Sequence, residues 1–350
     1  MARPHGDDGP VETLVPTAMV AGGDALARDG DGRVVFVRGA LPGEAVRVQV
    51  VDDRGDYRRA EVVEILEPSP DRVAPPCAAL SAGCGGCAWQ HVSAAAQGRM
   101  KAEMVVDALR RIGRMTDPPR PVVQPLAGPA LRTTARLGVG PDGRAGHRRR
   151  GRTADVVPTA DCLAAHPLLA ELLVDGRYPG AGRVVLRAGV ASGERLVQVD
   201  AGAAAVVVPS EVVVVRRGDG GTAFVHEEVA GRRLRVSADS FFQAGPVAAA
   251  ALVDAVVDAV AGAVGPGGHV VDAYAGVGLF ATALGARYGA RITAIESQEA
   301  AAADARANLT GVDARVVVGE VGRWRGEPAD AVVADPARSG LGRPGVTALT

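Results

Sequence analysis

The chain has 350 residues, 47% of them hydrophobic and 23% charged, with a formal net charge of -1. A single hydrophobic core stops growing near about 250–300 residues, so two or three domains are expected and we start from three. The composition excludes a disordered chain, and the near-neutral charge leaves any phosphate binding to a local cluster rather than to a global field. Residues 1–10 carry Asp7 and Asp8 with no apolar segment behind them, which predicts no secretory signal and a cytoplasmic protein. The most apolar stretches, 201–215 and 247–264, are broken by Pro209 and Glu211 and by Asp254 and Asp258, so no membrane span is expected.

In chain order, residues 11–68 read as short strands (33–38, 41–44, 45–50, 59–66) between glycine and proline turns. Alternation without a helical period fits a small antiparallel barrel. Barrels of the OB type often hold single-stranded nucleic acid, and a purely structural barrel suits the pattern equally well. Pro68, Pro70, Pro75 and Pro76 mark a linker, and residues 93–230 mix helices (93–112, 167–174) with β-branched runs (183–187, 194–200). After Ser237 the text alternates helix and strand in the manner of a parallel sheet with covering helices. The expected domains are 8–68, 69–230 and 231–350.

All four cysteines fit one constellation: Cys77, Cys84 and Cys87 as Cys-x6-Cys-Gly-Gly-Cys, and Cys162 downstream beside Asp161 and His166. Disulfides are disfavoured in a cytosolic chain, so the set reads as a metal site, tetrahedral zinc and a 4Fe-4S cluster being equally compatible with the spacing. Gly83, Gly85 and Gly86 let the backbone fold tightly around the ligand group. Buried thiols or a redox dithiol at Cys84 and Cys87 are weaker readings, since no strand-to-helix context surrounds the pair.

Between Arg132 and Arg152 there are seven arginines (Arg132, Arg136, Arg144, Arg148, Arg149, Arg150, Arg152) against one acid, Asp142. This is either a phosphate-binding cluster or a solvated loop of an arginine-rich protein.

The segment 269–280 reads as a buried strand entering a glycine turn, with Gly276 and Gly278, and then a helix over 279–288. Twenty-four residues after Asp272, a second apolar strand ends in Glu296, placed to accept hydrogen bonds from both ribose hydroxyls of an adenosine cofactor. A third strand (314–319) ends at Glu320 and a fourth (329–334) at Asp335-Pro336, which sets a rigid carboxylate over the crevice. The glycine turn alone would serve a dinucleotide oxidoreductase equally; the Asp-Pro end favours a methyltransferase acting on bases.

Over nearly its whole length the chain resembles the RNA uracil-5-methyltransferases, the class that contains the tRNA and 23S rRNA enzymes. Phe36-Val-Arg-Gly-Ala-Leu-Pro-Gly-Glu44 is similar to the signature of that family's TRAM barrel, and Cys84-Gly-Gly-Cys-Ala-Trp-Gln-His91 to its 4Fe-4S segment, with Cys162 where the fourth ligand stands. Residues 132–136 and 146–151 resemble its central-domain segments, and Ser237-Ala-Asp-Ser-Phe-Phe-Gln243 the stretch whose glutamine touches the cofactor.

The resemblance implies a multidomain α/β fold: an OB-like TRAM barrel, a central α+β domain with an iron-sulfur site, and a Rossmann-like S-adenosylmethionine (SAM) domain truncated after its fourth strand. It implies SAM contacts at Gln243, Tyr274, Glu296 and Asp335, with Gly276, Gly278 and Glu320 beside them. It also implies a 4Fe-4S cluster on Cys77, Cys84, Cys87 and Cys162, RNA contacts at Arg132, Arg136, Arg148, Arg149 and Arg150, and a monomer that meets rRNA or tRNA and no membrane. Phe241 and Phe242 are expected as core aromatics. In the family a cysteine adds to C6 of an extruded uridine, C5 then attacks the sulfonium methyl, and a glutamate removes the C5 proton. That cysteine and glutamate lie beyond the Asp-Pro-x-Arg segment, so the expectation is an enzyme written without its last catalytic segment. The alternative is an RNA- and SAM-binding protein lacking the nucleophile.

Overall fold

A computed structural model describes residues 9–126, 128, 131–218 and 223–350. The chain forms two compact units, Met1–Ala127 and Gly128–Thr350.

In the first unit, β1 (Val11–Leu14), β2 (Ala18–Met19), β3 (Asp24–Arg28), β4 (Val34–Arg38), β5 (Ala45–Asp53) and β6 (Tyr57–Glu67) form one sheet in the order β1-β5-β6-β4-β3-β2. Only the β4–β6 pair is parallel. Period-two alternation turns Ala25, Ala27, Val35, Val37, Val46 and Val48 inward, and all six are fully buried. Helix α1 (Ala94–Arg111) starts where the Ser93 hydroxyl accepts the Ala96 N–H at 3.3 Å, and its Ala96 joins the same core.

The strand expected over 41–44 is a turn. Pro42 offers no N–H to a ladder, and Gly43 takes φ +82°, which a β-branched strand residue would not adopt. The turn is held from inside by Glu44, whose side chain is fully buried. Its carboxylate accepts the N–H groups of Leu41 (2.8 Å) and Ser69 (3.1 Å) and a fork from Arg72 (2.5 and 2.6 Å). Burial opposes the charged form, but the hydrogen bonds from Arg72, Ser69 and Leu41 outweigh it and hold the carboxyl below its ordinary value.

In the second unit, β7 (Thr134–Val139), β8 (Ala145–Arg149), β9 (Arg152–Pro158), β10 (Arg183–Ala188), β11 (Arg195–Val199) and β12 (Val213–Arg216) form a sheet ordered β12-β11-β10-β7-β8-β9. Helix α2 (Pro167–Val174) buries Leu169, Leu172 and Leu173 in the core of that sheet. A hairpin of β13 (Phe224–Val229) and β14 (Arg232–Ser237) leads into α3 (Pro246–Val260). Then follow β15 (His269–Ala273), α4 (Leu279–Tyr288), β16 (Arg291–Glu296), α5 (Glu299–Asn308), β17 (Ala314–Val318), β18 (Ala331–Ala334) and α6 (Gly342–Leu349). These last four strands are all parallel, in the order β17-β16-β15-β18, and every residue of β15 is buried, as a strand covered on both faces requires. The chain steps from β15 to β16 on one side and later returns to place β18 on the other. The carboxyl ends of β15 and β18 therefore flank the switch point at which open α/β sheets bind ligands.

Glu44→Gln leaves the Arg72 guanidinium without its countercharge. It should cost the protein about 3–5 kcal/mol, read as a lower urea midpoint at neutral pH. Because the folded carboxyl titrates below its unfolded value of 4.5, the stability it contributes is present above that value and lost as pH falls. The gap between wild type and variant should narrow in acid; a pH-independent gap would contradict this account.

Candidate functional site

Four strand ends converge at one edge of the parallel sheet. After β15 the backbone turns through Tyr274 at φ +65°, a left-handed conformation unusual for an aromatic residue, then through Gly276 (+57°) and Gly278 (+83°) into α4. A side chain at 278 would meet Ala305 of α5 at an ordinary contact distance of 3.4 Å, so it is the left-handed turn that calls for glycine here. Asn308 of α5 braces the turn, donating to the Val277 carbonyl (2.8 Å) and the Arg235 carbonyl (3.0 Å).

Glu296, at the end of β16, accepts the N–H groups of Gly276 (2.8 Å) and Gln298 (2.7 Å), which fix its carboxylate beside the glycine turn. A carboxylate has about four acceptor positions, so lone pairs remain for a diol. Asp335, beyond β18, receives the Gln243 amide at 3.4 Å. Tyr274 and Glu320 line one cleft of about 230 Å³ together with Ser297, Gly319, Leu341 and Pro344. Thus Tyr274, Gly276, Gly278, Glu296, Glu320, Asp335 and Gln243 all lie at the carboxyl edge of one sheet.

The Ser237–Gln243 segment reaches that edge because residues invisible to motif reading hold it. Asp304 of α5 is completely buried and accepts the Ser237 N–H (2.7 Å), the Ser237 hydroxyl (2.6 Å) and the Ser240 hydroxyl (2.6 Å), with the Arg235 guanidinium 2.8 Å away. Gln198 donates to the Asp239 carboxylate at 2.8 Å, and Gln298 to the Asp239 carbonyl at 2.9 Å. Phe242 is 8% exposed and enters the core as expected, but Phe241 is 56% exposed and is no core residue. Adjacent side chains need not share one environment, and the expectation ignored that.

The five arginines lie on or beside the β7–β9 end of the central sheet. The Arg132 and Arg136 side chains are exposed and make no hydrogen bond or ion pair among the described residues. Arg148 donates to the Gly182 carbonyl at 3.3 Å, Arg149 lies 3.7 Å from Asp155, and Arg150 is half-buried.

Cys77, Cys84 and Cys87 belong to the first unit and Cys162 to the second, and none is in a disulfide. The Gly86 N–H points at the Cys84 sulfur at 3.4 Å, and Gly83 takes φ +84°. Among the described residues, no three His, Cys, Asp or Glu side chains converge as a metal-binding group. Cys162 lies 3.8 Å from Nε2 of His147, a neighbour that the sequence did not suggest. His166, which stands near Cys162 in the sequence, caps α2 by accepting the Leu168 N–H at 3.3 Å.

Asp272 lies just under the glycine turn and is 1% exposed. Its Oδ2 accepts the Ala281 N–H at 2.9 Å, and Oδ1 has no hydrogen-bond partner among the described residues. Burial drives its carboxyl up to about 7; the Ala281 N–H opposes the shift, and the charges of Asp335 and Glu296 add to it. A carboxyl raised in the folded state holds its proton there longer than in the unfolded chain, so stability falls as pH rises from 3.8 to about 7. Asn at this position keeps the acceptor for Ala281 and carries no charge. Asp272→Asn should therefore melt above wild type at pH 8, the difference vanishing towards pH 4 in a pH series of thermal melts; a constant difference would contradict the assignment.

Residues 18–63 match the TRAM domain family. The chain is 37% identical to an uncharacterized RNA methyltransferase of Streptomyces avermitilis over 94% of this chain and 83% of that protein. It is 39% identical to the 23S rRNA (uracil(1939)-C(5))-methyltransferase RlmD of Methylococcus capsulatus over 42% of this chain and 35% of that one. The fold matches the crystal structure of Pyrococcus abyssi tRNA (uracil-54, C5)-methyltransferase, solved with S-adenosyl-L-homocysteine, at a TM-score of 0.71 and 20% identity, over 96% of this chain and 87% of that chain. A TRAM domain followed in sequence by a parallel sheet with a built switch point, and identity sustained along most of both sequences, place the chain in the family of TRAM-domain RNA methyltransferases that includes the uracil-C5 enzymes.

Proposed function

We propose that this protein transfers a methyl group from SAM to C5 of a uridine in rRNA or tRNA. The observation that carries the reading is the convergence of Gln243, Tyr274, Glu296, Glu320 and Asp335 around the Gly276–Gly278 turn at the switch point. The donor set suits an adenosine cofactor. Glu296, held by Gly276 and Gln298, is oriented for the ribose hydroxyls, and the cleft beside Tyr274 and Glu320 offers a flat, partly apolar wall to a purine.

Bound SAM would supply an electrophilic methyl on a sulfonium. The chain's own residues then have three tasks: to orient the cofactor through Gln243 and Asp335, to keep water from the cleft, and to hold the RNA through Arg132, Arg136, Arg148, Arg149 and Arg150. Phosphate contacts of this kind position the substrate without reading its sequence. Uracil C5 is a poor nucleophile until C6 is saturated, so covalent addition by a cysteine divides the reaction into two easier steps. On this reading the nucleophile is none of the four cysteines of this sequence.

Those four, Cys77, Cys84, Cys87 and Cys162, we assign to a 4Fe-4S cluster, with zinc the alternative. Support comes from the all-thiol donor set and from the Gly86 N–H aimed at the Cys84 sulfur, although the described residues show no converged group. No step of methyl transfer is routed through it. On this assignment the protein divides by task into a barrel (8–68), a cluster-bearing RNA domain (69–230) and a methyltransferase domain (231–350).

The native gene product, incubated with methyl-labelled SAM and unmodified rRNA or tRNA, should place label at C5 of uridine. Binding of both RNAs with no transfer to either would leave only a binding protein. Elemental analysis of the anaerobically purified protein should find iron with acid-labile sulfide. Stoichiometric zinc would select the alternative, and neither metal would overturn the cysteine assignment.

A further inference from the structure

One face of the central sheet connects the exposed arginines to the Gln243 segment. In the register of β7, β10 and β11, Arg136 lies opposite Val185 and Gln198 opposite the same Val185, while Arg187 lies opposite Thr134. Strand side chains alternate, so Arg136, Arg187 and Gln198 share one face, with Arg136 and Arg187 as diagonal neighbours. Arg136 is exposed at the edge of this face; Arg187 is 1% exposed beneath it.

The buried guanidinium is aimed at the segment. Its Nη2 donates to the Ser240 carbonyl at 2.6 Å, next to the Asp239 carboxylate that Gln198 grips. The backbone continues the connection: the Thr133 N–H donates to the Ala244 carbonyl at 2.8 Å, one residue past Gln243. The Nε of Arg187 has no hydrogen-bond partner among the described residues. Burial pulls the guanidinium down to about 10, and the positive Arg136 acts in the same direction against Asp304 and Asp239.

We propose that Arg187 is a positioning residue through which an RNA phosphate held at Arg136 tightens the Ser237–Gln243 segment, so that RNA and cofactor bind this protein cooperatively. A phosphate at Arg136 removes a like charge from beside Arg187, which favours the Arg187–Ser240 contact and fixes Gln243 toward Asp335. By linkage the cofactor strengthens RNA binding by the same factor. The proposal rests on the reading that Gln243 contacts the cofactor and Arg136 the RNA.

The test is calorimetric titration of the whole protein with S-adenosylhomocysteine, alone and with a saturating uridine-rich RNA oligonucleotide. In wild type the RNA should tighten the cofactor product about 5-fold or more. Arg187→Met and the surface variant Arg136→Gln should each bring that ratio close to one, and Arg136→Lys, which keeps the charge, should retain it. Gln243→Ala tests the underlying reading separately: unchanged cofactor affinity there removes that reading, and the proposal with it. If Gln243→Ala weakens binding but the wild-type ratio is one, or the ratio survives in both Arg187→Met and Arg136→Gln, the coupling is overturned while the cofactor site stands.

Discussion

The completely buried Asp304 carboxylate is the constraint on which the cofactor edge depends. A charge without solvent is tolerable only when it is hydrogen-bonded and paired, and Asp304 meets that demand with hydrogen bonds from the Ser237 N–H and both serine hydroxyls and an ion pair to the Arg235 guanidinium. Because Asp304 sits on α5 and its partners on β14 and the following turn, satisfying one carboxylate fixes the hairpin against the parallel sheet. Gln243 is thereby carried to Asp335.

A second buried carboxylate does comparable work in the first unit. Glu44 anchors the Leu41-Pro-Gly-Glu turn to Arg72, far along the chain from the strands it closes. Asp272 contrasts with both: among the described residues it has one N–H, an oxygen with no hydrogen-bond partner and two like-charged neighbours. Fully partnered carboxylates hold backbone in place, whereas the under-partnered one lies beneath the ligand edge. Perturbed groups concentrate where a site is arranged for ligand chemistry.

Much of the fold was legible because its signals are local. The strand over 291–296 and the helices over 167–174 and 279–288 follow from apolar runs and their glycine or proline boundaries. Glu296, Asp335 and the two glycines could be named because strand ends and turn residues advertise themselves in spacing. Asp304, Gln198 and Arg187 could not: each acts across 41 to 67 residues of sequence, and nothing in an alanine-rich helix or a β-branched strand distinguishes a buried polar group from a solvated one. The turn at 41–44 was misread because its apolar and charged letters imitate a strand while Pro42 and Gly43 forbid one. Phe241 was misread because two adjacent aromatics look alike in text and differ in burial.

The central claim is that the switch point of the parallel sheet is an adenosylmethionine site and not a dinucleotide site, a choice that the glycine turn and Glu296 leave open. Thermal melts of the protein with S-adenosylhomocysteine and, separately, with NAD test it directly, because a ligand of the native state raises the melting temperature by mass action. The account predicts a dose-dependent rise with S-adenosylhomocysteine and none with NAD. A rise with NAD and none with S-adenosylhomocysteine would contradict it.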